Sequence, residues 1–321
     1  MVSNKNQMDK NLYQVILFYN YSYIKNPKIL CNLHKTFCIK NKLLGRIIIS
    51  EEGINGTLSG LTIDINSYMQ FLLQDSCFAN TAFKIDSVNG HVFPKLSVKY
   101  KKEIVSLKLK NDIFPKNSCY LEPKEFYNLS QKSDIILLDA RNNYETKLGH
   151  FLNAILPDIN NFRELPAWID KNLDFFKNKK VLTYCTGGVR CEKLSIYLKN
   201  KGISEVFQLK GGIINYSQDE TLQGERFQGS LYVFDKRIVV KANKKKHTII
   251  GKDFFDQTPC ERYINCANPE CNKQILCSLA NEIKYLGSCC LRCRQHVNNR
   301  FNLENYKKSI NSNKNDGVII C

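Results

Sequence analysis

No apolar run in the 321 residues approaches the ~18 needed to cross a bilayer, so a membrane-spanning protein is not expected. The opening stretch MVSNKNQMDK lacks an apolar core and does not read as a secretory leader. Without a leader, the 14 cysteines point to a reducing cytoplasm holding free thiols and a metal site rather than disulfides. A glycine-rich dinucleotide fingerprint is missing, so neither a flavin nor a nicotinamide is expected. Only five histidines occur, and they form no evident His/carboxylate triad for iron. No internal repeat is apparent.

Acidic residues are also scarce: 30 Asp and Glu stand against 47 Lys and Arg, a formal charge of +17 that suits a polyanionic partner such as nucleic acid. The excess is almost all lysine, 37 against ten arginines, beside abundant Asn and Ile. That is the drift of an AT-rich genome, so charge alone leaves RNA binding open. The same drift makes each arginine informative, and two of them, Arg141 and Arg190, fall in the segments singled out below.

Residues 1–12 and 301–321 are polar and are expected to be disordered. Residues 13–115 read as strand, helix, two strands, helix, strand, the βαββαβ order of a ferredoxin-like fold. In the first helix Leu30, Leu33 and Phe37 share a face, and "FPKLSVKYKKEIVSLKLK" reads as an extended basic tail. Residues 120–217 alternate strands with helices, including one helix through Trp168 and Phe175, and predict a small α/β domain with a mainly parallel sheet. Its site is expected at the carboxyl ends of the strands, where Asp139 and Cys185 fall. Residues 218–300 form a basic and cysteine-rich C-terminal region.

The stretch YCTGGVRCEK, residues 184–193, carries the chemistry. A β-branched apolar strand ends at Cys185, and an amphipathic helix follows with Leu194, Tyr197 and Leu198 at helical spacing. Thr186, Gly187, Gly188 and Val189 make the tight loop between them, the glycines free to adopt backbone angles other residues avoid. Successive N–H groups in such a loop, backed by a helix N-terminus, form an anion nest. A thiol at Cys185 loses its proton readily there and serves as a nucleophile, with Arg190 adding a fixed positive charge. The plainer account is a buried structural cysteine beside a glycine turn. Cys191, directly after Arg190, either resolves an oxidised Cys185 or simply packs.

These segments resemble a known family. "LLDARNNYETKLGHFLNA" is similar to the D-x-R…E…G-H…A signature of rhodaneses, YCTGGVRCEK to their six-residue active-site loop, and "VFQLKGGI" to their closing strand and turn. The resemblance implies a thiol-based intermediate on Cys185, with Asp139 and Arg141 supporting the site; His150 reads as a packed loop residue. "LGRIIISEEGINGTLSG" and "FPKLSVKYKKEIVSL" resemble the N-terminal domain of the oxygen-dependent tRNA uridine hydroxylases, and "PCERYINCANPECN" their cysteine-rich tail. Together these cover about residues 13–293 in the family's order. What they imply is an oxidoreductase that converts the wobble uridine to 5-hydroxyuridine, with molecular oxygen as co-substrate and the tRNA anticodon loop as partner. The alternative, a sulfurtransferase working through a Cys185 persulfide, is permitted equally by the loop alone.

Three further features carry alternatives. Asn55, in the turn-like EEGINGT, either meets a base edge or sugar or stabilises a plain hairpin. The run at 236–246 holds six basic residues, Lys236 and Arg237 among them, and either grips tRNA phosphates or is a solvated linker. Cys266, Cys271, Cys290 and Cys293 offer four thiolates for a structural zinc. Ala280 stands where the family carries a second cysteine three residues after Cys277, which leaves a metal-free tail as the other reading.

Overall fold

The computed structural model describes residues 12–108 and 118–302. The termini expected to be disordered therefore lie almost wholly outside the described residues. The N-terminal unit runs β1 (Tyr13–Tyr21), α1 (Pro27–Lys40), β2 (Leu44–Ser50), β3 (Gly53–Leu61), α2 (Thr62–Leu73), β4 (Phe83–Val88) and β5 (Leu96–Tyr100). Its sheet has the order β4-β1-β3-β2-β5, antiparallel except for the parallel β2–β5 pair. The segment expected as an extended tail thus supplies a fifth strand, which covers an otherwise open edge at β2.

Period-two alternation divides this sheet into two faces. Ile16, Phe18, Ile47, Ile49, Ile54 and Leu58 pack under α1 and α2. Helix α1 buries Pro27, Cys31, His34 and Cys38; of the expected face, Leu30 and Phe37 pack at the edge of this core, whereas Leu33 is 52% exposed. The cysteines act as small apolar residues at helical spacing, and His34 bonds the Tyr68 hydroxyl at 2.9 Å. The opposite face carries Leu17 and Tyr19 of β1, Asn55 and Thr57 of β3, and Arg46 and Ile48 of β2. The register sets them in two rows, Leu17–Thr57–Arg46 and Tyr19–Asn55–Ile48. This face turns toward the second domain.

The second unit contains β6 (Tyr120–Leu121), α3 (Pro123–Leu129), β7 (Ile135–Asp139), α4 (Asn143–Thr146), β8 (Gly149–Phe151), α5 (Leu165–Lys171), α6 (Leu173–Phe176), β9 (Lys180–Tyr184), α7 (Val189–Asn200), β10 (Val206–Leu209) and α8 (Gly212–Gln218). Strands β6-β10-β9-β7 form a wholly parallel sheet, with Cys185 directly after the inner strand β9. The single helix expected through Trp168 and Phe175 is two short ones. The backbone leaves helical angles at Asn172, whose amide donates to the Trp168 carbonyl at 2.7 Å.

Strand β8 pairs instead with β11 (Phe227–Tyr232), which pairs with β12 (Val239–Lys241), so the C-terminal region is joined to the second domain by a shared sheet. A hairpin of β13 (Tyr263–Asn265) and β14 (Gln274–Leu276) and two short helices, α9 (Leu279–Lys284) and α10 (Leu291–Arg294), follow among the described residues. Among the described residues no helix is long and apolar enough to cross a membrane.

Candidate active site

Strand β9 delivers Cys185 to the N-terminal side of the 12-residue α7. Its side chain is nearly inaccessible, 1% exposed. Sγ accepts a hydrogen bond from the Gly188 N–H at 3.1 Å. Burial opposes ionisation of this thiol. Against it act the Cys191 thiol as donor, the Arg190 charge, and the N–H groups of Arg190 and Gly188, and together they pull the thiol well below its ordinary value. Burial and the adjacent Cys185 anion push Cys191 up, so Cys191 keeps its proton and donates it.

Arg190 does not reach the sulfur through its guanidinium. The guanidinium grips Glu145 of α4 through two bonds, 2.6 and 2.7 Å, both partners being buried. Thr186 donates to the same carboxylate at 3.2 Å. Burial would raise the Glu145 carboxyl, but the Arg190 ion pair outweighs it and holds the group below the usual carboxylate range. Glu145 was not singled out from the sequence, although it is the glutamate of the D-x-R…E pattern. That fixed position was the signal available.

Asp139 and Arg141 form a fully buried bidentate pair, closest approach 2.6 Å, and Arg141 also donates to the Gly149 carbonyl at 2.7 Å. They tie β7 to β8 behind the loop and do not line the space in front of Cys185. His150 is likewise away from that space and bonds the Thr146 carbonyl at 2.8 Å.

The N-terminal sheet roofs the loop. A Cβ on Gly187 would meet Leu17 at 2.6 Å, and one on Gly188 would meet the Tyr19 hydroxyl at 2.7 Å. Only Gly188 also has a left-handed backbone, φ +104°. A side chain at Gly187 would thus have to displace the end of Leu17, whereas Gly188 is favoured by its backbone conformation as well. The Tyr21 hydroxyl donates to the Val189 carbonyl at 3.2 Å. Lys193 of α7, itself buried, reaches Glu52 and Glu103 of the first domain at 2.8 Å each.

Between the domains lies a cleft of about 1080 Å³ with Cys185, Thr186 and Arg190 on its floor. Asn55 is on its wall and donates to the Ile104 carbonyl at 3.1 Å. Aromatic surface comes from Tyr144, Phe162 and Phe234, and cationic surface from Arg46, Lys101, Lys102 and Lys108. None of these cations was picked out from the sequence, because they approach the loop only through the domain packing. Arg237, by contrast, is held by Asp235 and Asp86 and is not on the cleft, and neither is Lys236.

In the C-terminal region the four clustered thiols are Cys266, Cys271, Cys289 and Cys293, with all Sγ atoms within 4.8 Å of one another. Cys290, expected in this set, is exposed, caps α10 in extended backbone and stands outside the four mutually close thiols, although its own thiol still contacts Cys289 and Cys293. Cys289 and Cys293 are four residues apart and meet at 3.8 Å, while Cys271 and Cys289 meet at 3.7 Å. A tetrahedron with metal–sulfur arms of ~2.3 Å has edges of about 3.8 Å, so the cluster could hold a metal ion.

A parallel α/β domain with a thiol cradled at a strand-to-helix loop, beneath a βαββαβ sheet, defines a rhodanese-type protein with an added N-terminal domain. Family models agree: one described as a UPF0176 acylphosphatase like domain matches residues 13–104, a Rhodanese-like domain 122–219, and a Rhodanase C-terminal region 228–294. The chain belongs to the tRNA uridine(34) hydroxylase family. It is 52% identical to a protein of that name from Onion yellows phytoplasma, over 92% of this chain and 96% of that one. Namesakes from Bacillus cytotoxicus and Acholeplasma laidlawii are each 51% identical, covering 91% and 92% of this chain and 91% and 93% of theirs.

Proposed function

We propose that this protein is a cytoplasmic oxidoreductase that hydroxylates C5 of the wobble uridine in tRNA with molecular oxygen, giving 5-hydroxyuridine. The observation that carries the reading is an acidified, buried thiol facing a cleft between domains in a chain half identical to uridine(34) hydroxylases. The names of these relatives favour hydroxylation over sulfur transfer.

In this reading the Cys185 thiolate adds to C6 of the flipped-out uracil. An Sγ–C6 bond forms, and the C5–C6 π pair moves toward C5 and the C4 carbonyl. The ring carbon to be oxidised thereby becomes nucleophilic. One atom of dioxygen is transferred to C5, and the other leaves as water with two electrons and two protons from an external donor. Loss of the C5 proton and departure of the thiolate restore the ring. The aromatic walls suit stacking on an unpaired base. The Gly188 and Arg190 N–H groups stabilise the thiolate before attack and after release. Positioned by Glu145, the Arg190 charge favours the anionic form of Cys185.

For the tetrathiol cluster we infer a structural zinc held by Cys266, Cys271, Cys289 and Cys293, which would brace the C-terminal region without taking part in the chemistry.

Nucleoside mass spectrometry of tRNA from cells lacking the protein, complemented with wild type or Cys185→Ser, tests the main reading. The expected result is loss of 5-hydroxyuridine restored by wild type alone. Disappearance of a thiolated nucleoside with 5-hydroxyuridine unchanged would replace it with the sulfurtransferase reading.

A further inference from the structure

The protein carries 47 Lys and Arg, but the structure divides them sharply by what they face. Some cations are neutralised at home: half-buried Arg237 by Asp86 and Asp235, and exposed Lys245 by Glu225, Lys210 by Glu122 and Lys201 by Asp170. Lys236, Lys241, Lys244 and Lys246 have no ion-pair partner among the described residues, but none of them lines the cleft above Cys185. Its lining includes five cations, Arg46, Lys101, Lys102, Lys108 and Arg190, and one carboxylate, Glu103. Arg190 is balanced by buried Glu145, and Glu103 by Lys193, which leaves four positive charges with no ion-pair partner among the described residues.

Their placement follows from the fold. Arg46 lies on the cleft-facing row of β2, one row away from Ile48 and Asn55. Lys101 and Lys102 continue directly from β5, whose parallel pairing sets Ser97 beside Arg46 and carries Lys101 to the far end of β2, and Lys108 follows on the same segment, so the four line the cleft at spaced points. All four are exposed. Glu103, which would cancel one of them, is turned inward. It accepts from Lys193 and from the Leu107 and Lys108 N–H groups, and these bonds hold its carboxyl below the usual range although burial acts the other way. The arrangement concentrates unspent positive charge along one side of the cleft mouth, where an incoming polyanion gains most from it.

We propose that Arg46, Lys101, Lys102 and Lys108 form a phosphate clamp of the N-terminal domain that grips the RNA backbone beside the target nucleotide. The inference rests on the RNA substrate proposed above. It assigns backbone recognition to the β2–β5 edge and not to the basic run at 236–246. The clamp positions without reading sequence, and the base enters the cleft from a strand held at its rim.

Binding of a fluorescent tRNA anticodon stem-loop, measured by anisotropy across a salt series, tests it. Each contact to a single-stranded phosphate contributes about 0.7 to the slope of log affinity against log salt, so Lys101→Gln/Lys102→Gln should bind about 25-fold more weakly near 0.1 M salt and lower the slope by about 1.4. Arg46→Gln should act in the same direction alone. The rate of Cys185 alkylation, unchanged in each variant, reports that the loop and roof are intact. Wild-type affinity and slope in these variants would overturn the clamp while leaving the substrate reading standing. Loss of binding in Lys236→Gln/Lys246→Gln instead would move the site to the C-terminal run and also overturn it. If wild-type protein binds no RNA, both the substrate reading and the clamp fall.

Discussion

Tyr19, on a strand of the first domain, donates its hydroxyl hydrogen to Glu192, in the first turn of the helix that follows the reactive loop, at 2.9 Å. The carboxylate also accepts from Ser118 at 2.8 Å, Tyr120 at 3.0 Å and Gln208 at 3.0 Å, while only 3% of Glu192 is exposed. Residues 173 positions apart in sequence therefore meet in the first turn of the helix that follows Cys185. Hydrogen bonds to a buried charge contribute about 1.5–3 kcal/mol each. Tyr19→Phe should lower the melting temperature by several degrees. Glu192→Ala should lower it further, since it orphans four donors at once. Equal melting curves for Tyr19→Phe and wild type would show that the domains dock without this bond.

The thiol chemistry predicts a pH profile. Donors to the Cys185 anion lower its pKa, so removing one must raise it. Iodoacetamide labelling of Cys185, followed residue by residue by mass spectrometry, should stay fast below neutral pH in the wild type. In Cys191→Ala, which deletes a principal donor, the midpoint should move up. Cys191→Ser retains an O–H donor and should move it less. An unchanged midpoint in Cys191→Ala would mean that the loop N–H groups and Arg190 suffice.

The two loop glycines should respond differently to alanine. In Gly187→Ala the obstacle is the end of the Leu17 side chain, so Leu17→Ala in the same protein should restore stability and cleft binding. Gly188→Ala must also hold a left-handed backbone, at a cost of order 1–3 kcal/mol that no change at Tyr19 relieves. Thermal denaturation of the single and double variants separates the two cases.

The tail makes its own prediction. Cys289→Ser should lose bound zinc, measured by elemental analysis, whereas Cys290→Ser should retain it. A chelator should lower the melting temperature of wild type and Cys290→Ser alike. Zinc retained in Cys289→Ser would return Cys290 to the ligand set.

The contrast between these adjacent cysteines marks what could be read in the chain itself. Local order was legible: the β-branched run before Cys185, the glycines after it and the helical spacing of Leu194 and Leu198 each depend on near neighbours. Helix phase was not. Cys290 caps α10, and it is Cys289, four residues before Cys293, that joins the mutually close set, a detail of local geometry that spacing does not encode. The break at Asn172 turns on one side-chain bond to Trp168 that periodicity does not encode. Glu145 was visible as a pattern, but its ion pair with Arg190 spans 45 positions. The lysines at the cleft were legible only as part of a basic tail, with nothing to tie them to Cys185, and for a stronger reason. Lysines are everywhere in this chain, and only three-dimensional pairing separates those neutralised at home, such as Lys193, from those left facing outward, such as Lys101.

The roof over the loop has a consequence for what can react. Leu17 and Tyr19 are pressed against Gly187 and Gly188, and among the described residues the sulfur faces the gap between the two domains. In the reaction proposed above, a uridine stacked inside a double helix could not bring its C6 edge into such a gap without first leaving its neighbours. The wall thus acts as a sieve on nucleic-acid shape, rejecting paired uridines by sterics alone and sparing the reactive thiol from folded protein surfaces in the same crowded solution.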